Sequence, residues 1–156
     1  MRKNLLVGSL CVSVAMLLGG TSAFAGENWV GTWKLNTAKT EGSGGVRAQT
    51  LTFESTPAGI KLMSEGTDAE GKPMKGSYTS KFDGKDVPWA GNPMADTAAP
   101  KRIDDNTYEN VWKKGGKVTV NAKVSVSADG KVLTVTQDGT DPKGAKVHTV
   151  SVYDRQ

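Results

Sequence analysis

The sequence predicts an all-β protein: an antiparallel up-and-down barrel of eight strands, extending to ten. Three observations predict it. Val118, Val120, Ala122, Val124 and Val126 alternate with Thr119, Asn121, Lys123, Ser125 and Ser127, the period-two pattern of a strand with one dry and one wet face. Turn pairs punctuate such runs: Asp83-Gly84, Gly115-Gly116, Asp129-Gly130 and Asp138-Gly139,. No stretch after residue 25 carries an amphipathic helical pattern, and Asn36 to Gly45 has room for one helical turn. Antiparallel strands without covering helices must hide an apolar face and two edges, and closure into a barrel does both. A β-sandwich is the alternative.

Eight main strands are expected at about 29–35, 47–55, 59–66, 74–83, 107–114, 117–127, 131–138 and 145–154. The segment from Gly84 to Asn106 holds three of the six prolines, Pro88, Pro93 and Pro100. A structureless loop of that length is unfavourable in a small domain, so short edge strands are expected near Val87–Trp89 and Lys101–Asp104. An internal echo accompanies this pattern. Gly66-Thr67-Asp68-Ala69-Glu70-Gly71 resembles Gly139-Thr140-Asp141-Pro142-Lys143-Gly144, and at the same offset Ile60 and Leu62 fall on Leu133 and Val135. Two four-strand meanders would produce this; so would hairpin turns that reuse the same Gly and Asp chemistry.

Residues 1–25 read as a cleaved signal peptide. Arg2 and Lys3 precede an apolar run from Leu5 to Leu18, and Ala23-Phe24-Ala25 fits the small-x-small cleavage rule, leaving Gly26 first,. The run is shorter than the roughly 20 residues of a membrane span. Cys11 follows Leu10, where a lipid-modification site needs a small residue. The expected location is therefore periplasmic or secreted, with no stable membrane insertion after cleavage and one barrel domain over 26–156. Cys11 is the only cysteine, so the remaining chain has no disulfide, thiol nucleophile or thiolate ligand. The whole chain's net charge of +4 loses Arg2 and Lys3 with the leader. The remaining charges are interspersed and form no basic stripe, so no nucleic-acid partner is expected.

The first expected strand contains Gly31-Thr32-Trp33, and the chain ends in Tyr153-Asp154-Arg155-Gln156. With Asp83-Gly84-Lys85-Asp86 and Lys101-Arg102-Ile103-Asp104, these phrases make the chain similar to small exported bacterial lipocalin-like (calycin-type) β-barrel proteins of unassigned function. The resemblance spans nearly all of 26–156. It implies that Trp33 packs under Arg155 as a barrel-closing pair, worth about 0.5–2 kcal/mol as a cation–π contact.

Period two places Phe53, Leu62, Tyr78, Phe82, Trp112, Val120 and Val135 on inward faces, with Val118 among their neighbours. As function they would wall a pocket for a small hydrophobic or amphipathic molecule, with Tyr78 as a polar handle. As structure they are the core that so short a chain needs. Trp29 is a plug or a surface aromatic. Trp89 and Met94 lie in a Pro/Gly-rich stretch as a candidate mouth loop, or Trp89 folds back into one barrel end. Facing in the last strand is open: Val147, Thr149, Ser151 and Tyr153 share one side; His148, Val150, Val152 and Asp154 share the other. His148, the only histidine, has no neighbours spaced for zinc or for catalysis, and reads as a solvated strand residue. The acidic turns lack the calcium-loop ladder. No cofactor, metal or catalytic constellation is expected. Two function classes remain: a non-enzymatic exported binding barrel, or a packed barrel that binds another protein or forms part of the cell envelope.

Overall fold

The computed structural model describes residues 28–42, 46–140 and 143–156. The expected signal peptide and the start at Gly26 lie outside the described residues. The strands are β1 (Gly31–Leu35), β2 (Glu41–Gly42), β3 (Ala48–Thr56), β4 (Gly59–Thr67), β5 (Pro73–Ser80), β6 (Val87–Pro88), β7 (Thr97–Arg102), β8 (Thr107–Lys114), β9 (Lys117–Val126), β10 (Val132–Thr140) and β11 (Lys146–Arg155). Among the described residues there is no helix. A single turn, in which Lys39 N–H donates to Asn36 O, takes the place of the expected helical turn.

One antiparallel sheet runs β5-β4-β3-β1-β11-β10-β9-β8-β7-β6, with β2 paired to β11 off this path. β5 and the residues after β6 then meet. Ser77 N–H donates to Ala90 O at 3.0 Å and Ala90 N–H returns the bond to Ser77 O at 3.1 Å. The result is a nearly closed barrel of ten strands. A continuous sheet that meets itself is not a sandwich, and the alternative fold is set aside.

Three strands are added to the expected eight: β2, which pairs β11 off the barrel path, and β6 and β7, which come from the 84–106 segment. β7 begins earlier than Lys101 because its first half, Ala98, Ala99 and Pro100, is buried by small residues. Small residues give no large-apolar alternation to read. β5 ends at Ser80, short of the expected 83. Phe82 adopts φ 56°, where a bulky side chain is strained by about 1–3 kcal/mol. Ser80 Oγ accepts the Phe82 N–H at 3.0 Å, and the Phe82 ring is buried against Trp29 and Tyr108. Burial of such a ring contributes about 1.5–3 kcal/mol, enough to offset the strain.

Asp138-Gly139 is not a turn. Both residues lie inside β10, as Gly66 lies inside β4. At each glycine the neighbouring strand comes so close that a methyl group would collide with its backbone: Ala48 O beside Gly66, Thr119 O beside Gly139. The two glycines permit a tight approach of paired strands in a strongly coiled sheet. The echo between the halves thus extends to structure. β4 and β10 bury Ile60 and Leu62, and Leu133 and Val135, at matching positions, and each ends one residue after its close-approach glycine.

Alternation fills one half of the interior. Trp29, Phe53, Ile60, Phe82, Val126 and Leu133 pack there in one buried cluster. Trp29 is a plug: it stacks on Phe82 with ring centroids 5.9 Å apart and meets Tyr108 edge-on at 5.4 Å. Val118 shares the parity of Val120 but is 55% exposed. It sits at the hairpin end of β9, next to a register irregularity at Trp112/Lys113, beyond the part of the strand that has a roof.

Candidate functional site

The closed end is built on a strand pairing. Trp33 of β1 lies opposite Arg155 of β11, and the Arg155 Cζ stands 4.2 Å from the Trp33 ring centroid. Trp33 is fully buried and its Nε1 donates to Trp29 O at 2.8 Å. The guanidinium is held in place by three carbonyls. Nε donates to Gly130 O at 2.6 Å, Nη1 to Val30 O at 3.1 Å, and Nη2 to Asn28 O. Gly31 explains the Gly-x-Trp spacing physically. Its φ is 138°, and a methyl group there would stand 2.6 Å from Arg155 Nη1. The glycine makes room for the cation that covers the tryptophan.

The other half of the interior is open. It holds a cavity of about 540 Å³, within the usual size for small-molecule sites. Of the expected pocket residues, Leu62, Tyr78, Trp112 and Val135 lie on its wall. Phe53 and Phe82 do not; both rings meet Tyr108 edge-on, and Phe82 also stacks on Trp29. Val120 is also off the wall, buried beside Gly139. Parity alone could not separate these groups, because inward-facing residues along one strand pass from the packed half into the open half.

Trp89 and Met94 both lie on the cavity wall. Trp89 turns inward, with edge-on contacts to Tyr78 at 5.1 Å and Trp112 at 4.8 Å. Its Nε1 lies beside Gly76 of β5. The segment is tied down by backbone bonds: Trp89 N–H donates to Asp96 O at 2.8 Å and Asp96 N–H to Lys113 O at 2.9 Å. Thr119 Oγ1 donates to Met94 O at 3.0 Å, so the loop is anchored to the β8–β9 hairpin.

Among the wall residues that the sequence did not assign to a pocket are Tyr108, Asn110, Thr149 and Tyr153. Period two counted back from Trp112 reaches Asn110 and Tyr108. In β11 both parities carry valines, which hid the facing; Thr149 and Tyr153 point inward and His148 outward. Asn110 Nδ2 donates to Tyr78 Oη at 3.3 Å, and Tyr153 Oη donates to Gln49 Oε1 at 2.5 Å. Exposed His148 has its Nδ1 2.6 Å from Asp138 Oδ1, directly across the β10–β11 pair. Asp83, Asp104 and Asp129 accept backbone N–H bonds in their own turns. Among the described residues no group of three His, Cys, Asp or Glu side chains could hold a metal.

Burial pushes the Tyr78, Tyr108 and Tyr153 phenols well above their ordinary range. These are the three tyrosines of the chain. A tyrosine of the unfolded chain ionises near pH ~10, whereas the folded protein keeps its phenols neutral. Stability is therefore full below that pH and falls as pH rises from it toward the raised folded values. Tyrosinate absorbance should stay absent on alkaline titration until the barrel unfolds, then rise cooperatively with loss of the β-sheet circular dichroism signal. Gradual ionisation of one tyrosine in the folded protein would show that its hydroxyl is open to water.

No family model matches the sequence, and no curated protein matches it. Among solved structures, a zebrafish ileal bile acid-binding protein complexed with cholic acid aligns with a TM-score of 0.50, over 83% of this chain and 100% of that one. The fold is a calycin-like barrel. Identity over the alignment is 7%, so the likeness is one of fold, and the wall residues above are this chain's own.

Proposed function

We propose that this is an exported, non-enzymatic binding protein that holds a small hydrophobic or amphipathic molecule inside its barrel. The observation that carries the proposal is the cavity of about 540 Å³ walled in part by Tyr78, Trp89 and Trp112. A chain of this size gains stability from every large side chain it packs. Here three aromatic rings border open space. The solved bile acid-binding barrel, which contains cholic acid, supports the reading at the level of a ligand within a barrel. Export rests on the composition of residues 1–25,, and makes the proposed location periplasmic or secreted.

Native mass spectrometry of the protein purified from its own host should detect a co-purified small molecule, and N-terminal sequencing of the exported form should begin at Gly26. An apolar fluorescent dye should bind with micromolar Kd, about −8 kcal/mol. Tyr78→Ala should weaken that binding more than it destabilises the fold. If no dye binds and Tyr78→Ala carries a full core penalty, the packed barrel with a protein partner takes this reading's place.

A further inference from the structure

The polar atoms of the cavity wall narrow the class of ligand. Among the described residues, five buried side-chain polar atoms have no hydrogen-bond partner, and four belong to wall residues: Trp89 Nε1, Trp112 Nε1, Asn110 Oδ1 and Thr149 Oγ1. Trp89 is 8% exposed; Asn110 and Thr149 are each 3% exposed. Buried polar groups in folded proteins almost always have partners, and each one without costs stability. Four on one wall is a concentration the rest of the barrel does not show. An indole N–H only donates, an amide oxygen only accepts, and a hydroxyl does both.

Charge on the wall is arranged differently. Its charged residues are Asp68, Glu70 and Lys75, all on or beside the β4–β5 turn. The Lys75 Nζ is 3.0 Å from Glu65 Oε1, and both side chains are largely exposed. The interior wall thus offers hydrogen bonds without a cation. An anion drawn into such a site loses its hydration with no interior counter-charge to replace it.

We propose that the cavity selects a neutral amphipathic molecule whose carbonyl or hydroxyl oxygens meet Trp89 Nε1 and Trp112 Nε1, in preference to a carboxylate. A hydroxyl or amide hydrogen on the same molecule would meet Asn110 Oδ1. This rests on the binding-barrel reading above and sharpens it from an apolar ligand to an uncharged, oxygen-bearing one.

Three probes that share one ring skeleton separate the terms: fluorene (apolar), fluorenone (a neutral carbonyl) and fluorenecarboxylate (an anion), each titrated calorimetrically into the full exported chain. Fluorenone should bind about tenfold more tightly than either of the others, the scale of one well-placed hydrogen bond. Trp89→Phe and Trp112→Phe keep the ring and remove the donor. Each should narrow the fluorenone-to-fluorene ratio by about three- to tenfold in protein whose circular dichroism is unchanged. Equal affinity for fluorene and fluorenone would overturn the proposal, since the polar atoms would then be served by ordered water. Tighter binding of fluorenecarboxylate would overturn it in favour of an anion site. Binding of none of the three would remove the binding-barrel reading itself.

Discussion

Replacing Trp33 with alanine should cost about 3–5 kcal/mol of unfolding free energy, the range for a large aromatic deleted from a packed core. The residue is fully buried, and its indole N–H would no longer donate to Trp29 O, so the plug above it would lose a tether as well as a neighbour. Arg155→Ala should cost less, because the guanidinium is exposed and solvent weakens its interactions. The two losses should not add. The double variant should be less destabilised than the sum of the singles by about 0.5–2 kcal/mol, the worth of the cation–π contact. Urea melts of the four proteins measure the cycle. Strict additivity would mean that Arg155 stabilises the barrel only through the carbonyls of Asn28, Val30 and Gly130.

Gly139→Ala should be the most damaging single-methyl change in β10. The added carbon would collide with Thr119 O and crowd Val120. Paired backbones cannot step aside as a side-chain tip can, so the cost should reach or exceed the roughly 1–3 kcal/mol of ordinary overpacking. Gly66→Ala should behave alike, against Ala48 O. Gly71→Ala is the informative contrast. It has φ 83° and open space around it, so it pays only the left-handed backbone penalty of about 1–2 kcal/mol. A thermal denaturation series ranks the three; a harmless Gly139→Ala would show that β9 and β10 do not approach closely there.

Much of the fold was legible because alternation is a local signal. The runs at 59–66 and 107–114 match β4 and β8 closely, and each is bounded by turn residues. Three features were not legible, for separate reasons. β7 is buried through Ala98, Ala99 and Pro100, whose small side chains make little hydropathic contrast. Phe82 leaves the strand by a backbone conformation that no bulky residue favours, and only its contacts with Trp29 and Tyr108 explain the choice. Asp138-Gly139 has the composition of a turn, yet its glycine serves a close approach of strands. At the site, parity identified inward residues but carried no information about depth. Phe53 and Tyr78 are both inward and buried; only Tyr78 meets the cavity.

The Arg155 side chain has a consequence for how the barrel assembles in time. Its Nη1 reaches Val30 O, 125 residues away in sequence, and the β1–β11 ladder joins equally distant parts of the chain. The hairpins β3–β4, β8–β9 and β10–β11 are local and can form within microseconds. Joining β1 to β11 pays the loop-closure entropy of almost the whole chain before any contact repays it. Closure of this kind puts the protein among the slow, topology-limited folders, with refolding in milliseconds to seconds. Until it happens, the facing edges of β1 and β11 are unpaired, and these are the edges through which two partly folded chains would first adhere.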